Sequence, residues 1–334
     1  MKCLLTGGAG FIGSHLTEEL LAHNHDVCII DNLSTGSIDN IQHLKGERGF
    51  QYVIDSVFNR PLMAELVDQA DVIFHLAAAV GVRLIVESPV RTIDTNVRGS
   101  EVVLDLASKK KKLVVMFSTS EAYGKSNNER FAETDDLILG STTKARWSYA
   151  ASKIIDEFLA LAYWKEHGVP VIVIRLFNTV GPRQTGQYGM VVPRFVNQAL
   201  DGKPITVFGD GKQSRTFCHV RDTVTAIVSL ACRVEAVGEI FNVGGTEEIS
   251  IEGLAHRVID LLDSPSTIRY VPYEEAYEQG FEDMRRRVPD IRKIQTLTGY
   301  QPRRTLNDVI YDVAEHRRQR CPAGPALMAG SLGQ

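Results

Sequence analysis

The sequence predicts an α/β protein in which a Rossmann-type, doubly wound parallel sheet carries a smaller C-terminal α+β lobe. Three observations lead there. Short apolar runs without polar alternation, the mark of strands buried on both faces, recur at Lys2–Thr6, Val27–Ile30, Tyr52–Ile54, Val72–His75, Leu113–Phe117 and Val171–Leu176. Between them, Phe11–Leu21, the stretch near Val90–Ser108 and the stretch near Tyr149–His167 repeat apolar residues at three- and four-residue steps, as amphipathic helices do. A glycine-rich turn joins the first strand to the first helix. The 334 residues suffice for two domains or for one large unit with a lobe.

The later elements are shorter. A helix is expected near Val192–Leu200, a strand at Ile205–Phe208, helices after Arg221 and after Ser250, and a last helix after Thr305. Thr305-Leu306-Asn307-Asp308 reads as a capping box for that last helix. No Gly/Ser or Pro linker separates the halves, so residues 1–178 are read as the dinucleotide-binding domain and 179–320 as the lobe, some of whose segments return to the sheet. The tail 321–334, rich in Gly, Pro and Ala, is expected to be disordered. The run Lys109–Lys112 at a helix end reads as a solvated cap on the negative pole of the helix.

Composition narrows the class of partner. Hydrophobic residues make up 44%, charged residues 23%, and the net charge is −4, so no global positive field draws nucleic acid or an anionic membrane. Glycines follow Thr6 too soon for a signal-peptide core, and no run of about 18 apolar residues occurs later, so a cytoplasmic protein is expected. Cys3, Cys28, Cys218, Cys232 and Cys321 are scattered, without metal-site spacing, and are read as reduced thiols; no metal is expected.

Gly7-Gly8-Ala9-Gly10-Phe11-Ile12-Gly13 places glycines at 7, 10 and 13 in a strand-turn-helix context. Gly7 allows the tight turn, Gly10 a close approach of backbone to pyrophosphate, and Gly13 close helix–strand packing, with the helix N-terminus left to bind the anion. Asp31 ends the next strand roughly 20 residues on, where a carboxylate accepts from ribose hydroxyls and repels a 2′-phosphate. NAD is therefore preferred over NADP, since Asn32, Leu33 and Ser34 supply no cation.

Tyr149 and Lys153 lie four apart on one helical face. A phenol, with an ordinary pKa near 10, acts as a base at neutral pH only when neighbouring positive charge stabilises the phenolate. Lys153 and the nicotinamide are the expected sources. Ser118, Thr119, Ser120 and Glu121 follow an apolar strand, and sites in such sheets form at strand C-termini. A surface Tyr–Lys pair is the plainer alternative, which these neighbours argue against.

Together the residues resemble the extended short-chain dehydrogenase family, in its nucleotide-sugar epimerase, dehydratase and decarboxylase branch, over Met1 to about Arg320. The matching pieces are Thr6 to Gly13, His75-Leu-Ala-Ala78, Asn96-Val-Arg-Gly99, Ser118-Thr-Ser-Glu-Ala-Tyr-Gly124, Tyr149 with Lys153, Arg175-Leu-Phe-Asn-Thr-Val-Gly-Pro182, and Asp222 after Phe217-Cys-His-Val. The resemblance implies NAD as cofactor, contacted by Gly7, Gly10, Phe11, Ile12, Gly13, Asp31, Asn32, Ser34, Ser56, Leu76, Ala77, Ala78, Asn96, Tyr149 and Lys153. It implies Tyr149, Lys153, Thr119, Ser120 and Glu121 as catalytic residues, and Asn178, Val192, Arg215 and Arg287 against a nucleotide-sugar substrate, a UDP-sugar. Ser56 stands where the family usually has an Asp beside the adenine.

Glu121 discriminates within the branch, because a Glu there resembles members that also do chemistry at C5, while simple 4-epimerases usually lack it. The stretch Arg146–Lys153 resembles the decarboxylase members. UDP-glucuronate decarboxylation to UDP-xylose through a 4-keto sugar is therefore the preferred expectation, ahead of 4-epimerisation of UDP-glucose or UDP-glucuronate and then of 4,6-dehydration. A non-catalytic NAD sensor on the same fold is the alternative of another class. Apolar residues on more than one face of the Val90–Ser108 and Tyr149–His167 stretches imply, with the family, a homodimer through a four-helix bundle.

Overall fold

The computed structural model describes residues 1–81, 88–185, 190–276 and 284–320. The expectations for the tail and for Cys321 lie outside these residues; Cys3, Cys28, Cys218 and Cys232 are free thiols. The six expected strands of the first half are β1 (Lys2–Thr6), β2 (Asp26–Asp31), β3 (Phe50–Ile54), β4 (Val72–His75), β5 (Leu113–Thr119) and β6 (Val171–Leu176). The lobe adds β7 (Thr179–Val180), β8 (Ile205–Phe208), β9 (Ser214–Thr216) and β10 (Cys218–His219). It continues with β11 (Glu239–Val243), β12 (Glu248–Ser250), β13 (Ile268–Val271) and β14 (Arg286–Arg287).

The main sheet runs β11-β6-β5-β4-β1-β2-β3, all parallel, and changes direction between β1 and β4. Alternate residues of each strand feed two cores. Leu5, Ile29, Phe74, Val115 and Ile172 pack under helices Phe11–Ala22, Val220–Ala231 and Arg292–Thr298. Leu4, Ile30, Ile73, Val114 and Val171 pack under Arg60–Gln69, Pro89–Ser108 and Trp147–His167. Burial on both faces explains why the strands read as unbroken apolar runs.

Two elements had no clear sequence signal. Helix Arg60–Gln69 buries only Met63 and Val67 and starts from Asn59, whose side chain accepts from Leu62 N. Strand β11 lies far along the chain yet pairs with β6, so a segment beyond residue 178 returns to the main sheet. The lobe's own core lies between helices Val191–Leu200, Ile251–Leu262 and Leu306–Arg320.

The local signals hold where they are specific. Asp308 accepts from Thr305 N at 2.7 Å while Thr305 Oγ1 accepts from Asp308 N at 3.3 Å, the reciprocal capping box. The lysine run departs from the expected cap on its own helix: Lys112 Nζ donates to Asp68 O and Ala70 O, and Lys111 Nζ to His167 O, at the C-terminal ends of neighbouring helices. Two motif residues turn out to fasten the last helix to the sheet. His219 accepts from Arg221 N at Nδ1 and donates from Nε2 to Asp312, while Asp222 accepts from Arg303 N, Arg304 N and the Arg304 guanidinium.

Candidate active site

The site is assembled at the C-terminal ends of β1, β2, β4 and β5, where the change of sheet direction opens a crevice. Gly7 leaves β1 at φ +73°, and a side chain there would meet Ala77 N at 2.9 Å. A Cβ on Gly13 would lie 2.3 Å from Gly7 O, so the helix approaches the strand end this closely only because it has none. Gly10 caps the Phe11–Ala22 helix with no side chain over its N–H groups, which leaves them for an anion. Phe11 and Ile12 pack half-buried against the core behind the turn.

Asp31 accepts from Ala9 N at 3.0 Å through Oδ2 and from Leu33 N at 2.7 Å through Oδ1, and each oxygen retains a lone pair for a ribose hydroxyl. Burial raises its pKa, against the pull of the two N–H donors. A turn that side chains would fill, a bare helix N-terminus and a carboxylate at the strand end fit NAD. Asn32 and Ser34 are exposed, and Asn32 Oδ1 accepts from Ser34 N to shape the turn. Ser56 accepts from Phe58 N and donates its own N–H to Asp55, and so shapes the loop after β3.

Past β4, Leu76 N donates to Thr6 O and Ala77 N to Thr6 Oγ1, while Thr6 Oγ1 hydrogen-bonds His75 Nδ1 at 2.8 Å. Burial, with the nearby Lys153 charge, pushes the His75 pKa down to about 3, so the ring is neutral. Ala78 continues this turn between the two bonded ends. Asn96 Oδ1 accepts from Ala79 N at 2.8 Å, and its Nδ2 donates to Ser152 Oγ at 3.0 Å. It thus ties the cofactor-side turn to the helix bearing Tyr149 and acts on the crevice through that turn.

Strand β5 delivers Thr119 to the crevice two residues further along the strand than the sequence pattern places its end. Tyr149 is 8% exposed and faces the Thr119 side chain. Burial raises the Tyr149 pKa, Glu121 and Asp156 raise it further, and Thr119 and Arg287 oppose them. Lys153 is buried one turn on, with its ammonium on Asp156 Oδ2 at 2.6 Å. Ser120 is buried in the short helical turn that Thr119 caps through Glu121 N.

Glu121 sits between two guanidiniums, accepting from Arg146 at 2.5 Å and from Arg287 at 3.1 Å. Burial works to raise its pKa, but the two cations hold it down to about 2. Arg287 also donates to Asn178 Oδ1, and Asn178 Nδ2 donates to Thr216 O at 2.8 Å. Asn178 takes φ +34° to make both contacts. Tyr149, Glu121, Asn178, Val192, Arg215 and Arg287 line one open cleft between sheet and lobe.

The sequence reading assigned no role to Arg146, Phe208, Gln213 or Tyr273, which share that cleft. Arg146 had a usable signal, because it lies three residues before Tyr149 and so on the same helical face. The other three come from separate lobe segments joined only by folding. Lys153 is the reverse case: its partner in the structure is Asp156 rather than the phenol.

Residues 3–244 match the NAD dependent epimerase/dehydratase family, and the chain belongs to it. NAD is its cofactor. The chain is 43% identical over 302 residues to a UDP-N-acetyl-alpha-D-glucosaminuronate decarboxylase of Bacillus cytotoxicus, covering 90% of this chain and 92% of that one. It is 35% identical to UDP-glucuronic acid decarboxylase 1 of Danio rerio, covering 90% of this chain and 69% of the other. Its fold superposes on the UDP-glucuronic acid 4-epimerase of Bacillus cereus, solved with UDP-glucuronic acid and NAD, with TM-score 0.85 and 29% identity over 96% of this chain and 100% of that one. Among the described residues no helix is long and apolar enough to cross a membrane.

Proposed function

We propose that the protein decarboxylates a UDP-linked hexuronate through a 4-keto intermediate, with UDP-glucuronate as substrate and UDP-xylose as product. The observation that carries this reading is the Arg146–Glu121–Arg287 cluster beside Tyr149, in which two guanidiniums converge on one ionised carboxylate at the position where a C6 carboxylate would lie. The decarboxylases among the relatives support it. The relative with the higher identity acts, by its name, on the 2-acetamido sugar acid, which favours UDP-N-acetylglucosaminuronate as a second reading of the substrate.

NAD, held by Gly7, Gly10, Gly13 and Asp31, would supply the hydride acceptor for C4 and, once reduced, the hydride donor that restores the alcohol. Tyr149 takes the proton of the 4-hydroxyl, and Thr119 orients both oxygens. Lys153 supports the phenolate and the cofactor ribose. Once C4 is a ketone, the C5–C6 bond breaks with loss of carbon dioxide; its electron pair delocalises onto the C4 oxygen, and a solvent-derived proton then adds at C5. Glu121, held ionised, limits how firmly the carboxylate is stabilised, so charge is better accommodated in the transition state. Gly7, Gly10, Gly13 and Asp31 hold the cofactor; Asn178, Val192, Arg215 and Arg287 hold the nucleotide sugar.

The assembly we propose is a homodimer in which helices Pro89–Ser108 and Trp147–His167 pair with their two-fold mates. Val102, Val103 and Leu106 are used up against the sheet, while Val90 (80% exposed), Ile93, Ile155 and Phe158 (69% exposed) form the outward apolar face. A diffusible nucleotide sugar as substrate fits a cytoplasmic location.

Incubation with UDP-glucuronate, UDP-N-acetylglucosaminuronate and UDP-glucose, with products identified by mass and NMR, tests the function. Loss of carbon dioxide from either acid is expected. An unchanged mass with a new stereoisomer, or loss of water from UDP-glucose, contradicts it.

A further inference from the structure

We propose that Asp156 is a positioning residue that holds the Lys153 ammonium and, through it, sets the pH at which Tyr149 serves as a base. This rests on the reading of Tyr149 as the proton acceptor. The arrangement is geometric. Tyr149, Lys153 and Asp156 lie on successive turns of one helix, all three buried, with Lys153 Nζ 2.6 Å from Asp156 Oδ2. An ammonium four residues from a phenol would favour the phenolate; a carboxylate on that ammonium cancels much of its field.

Among the described residues, these charged and polar groups face the pair. On the same helix stands Glu157, already committed to Arg175 of β6 at 2.7 and 2.9 Å. From β4 comes His75, neutral by burial. Glu121 and Arg287 face Tyr149 from the turn after β5 and from β14, and Ser100 faces Asp156 from helix Pro89–Ser108. Asp156, in direct contact with the Lys153 ammonium, can therefore be neutralised without touching the Arg–Glu cluster or the phenol.

The sign follows. Catalysis needs Tyr149 deprotonated, so the acidic limb of kcat/KM follows its ionisation. Neutralising Asp156 removes a negative charge that opposes the phenolate and uncovers the lysine charge that favours it. Asp156→Asn is expected to move the acidic limb to lower pH by about one unit. Asp156→Glu, which keeps the charge, is expected to leave the limb near its wild-type position. A purely structural role would lower kcat across the whole profile without moving the limb.

Carbon dioxide release from UDP-glucuronate, measured across pH for wild type, Asp156→Asn and Asp156→Glu, reads this directly. Proton release on NAD binding, from calorimetry in buffers of different ionisation enthalpy, reads the same ionisation without turnover and should shift in the same direction. If Asp156→Asn does not fold, Asp156→Ser replaces it. A limb and a proton-release curve that stay in place, or that move to higher pH, overturn the proposal. Tyr149→Phe separates the two failures: an active Tyr149→Phe removes the reading of the site, and an inactive one with an unmoved Asp156→Asn profile removes only the role of Asp156.

Discussion

At Tyr149 the protein's own field runs against ionisation, since burial, Glu121 and Asp156 all favour the neutral phenol. In the proposed role as a base, such a residue needs a cationic neighbour at the moment of proton transfer, which would tie its chemistry to the cofactor's oxidised form and to Lys153. Tyr149→Phe is expected to cost about 10²–10⁴-fold in turnover, the usual contribution of a positioned base, with NAD affinity by calorimetric titration close to that of wild type. His75 makes a different prediction. Its folded pKa of about 3 lies below the ordinary 6.5, so the unfolded chain binds the extra proton and stability falls as pH drops below about 6.5. Thermal melting across pH should show a shallower acid-side slope for His75→Asn than for wild type; equal slopes would mean that the ring does not titrate in this way.

The helix Trp147–His167 is set in place by a buried network. Ser118 Oγ and the Arg175 guanidinium both donate to Glu157, while Arg175 lies 4.7 Å over the Tyr123 ring, whose hydroxyl donates to Asn242. This links the proposed catalytic helix to β5, β6 and β11. Breaking one partner of such a pair leaves a buried charge uncompensated, so Glu157→Gln should lose about 3–5 kcal/mol of stability, measurable by denaturant unfolding. Strands β1 to β6 and the glycine turn were legible in the sequence because parallel strands buried on both faces and a positive-φ turn leave little freedom in residue type. Strand β11 was not, because it joins the sheet by a long-range return that no local pattern records. The Tyr149–Glu121 half of the site was readable from motifs at strand ends, whereas Phe208, Gln213 and Tyr273 reach the cleft only through the folding of the lobe.

At the scale of the whole molecule, the proposed cofactor side is built by the sheet and the proposed substrate side by the lobe, and Arg287 of β14 joins them by reaching both Glu121 and Asn178. The outward face of the two long helices carries the assembly prediction. Phe158→Glu should convert a dimer to a monomer in sedimentation at micromolar concentration and lower activity with it; a monomeric wild type would contradict the proposed interface. The central claim is that the substrate loses C6 as carbon dioxide between removal and return of one C4 hydride. It is tested most directly by turning over UDP-glucuronate in deuterium oxide and reading the product by NMR. The expected product is a UDP-pentose with one solvent deuteron at C5 and the substrate's own hydrogen at C4. A hexuronate inverted at C4, or a solvent deuteron at C4, would contradict it.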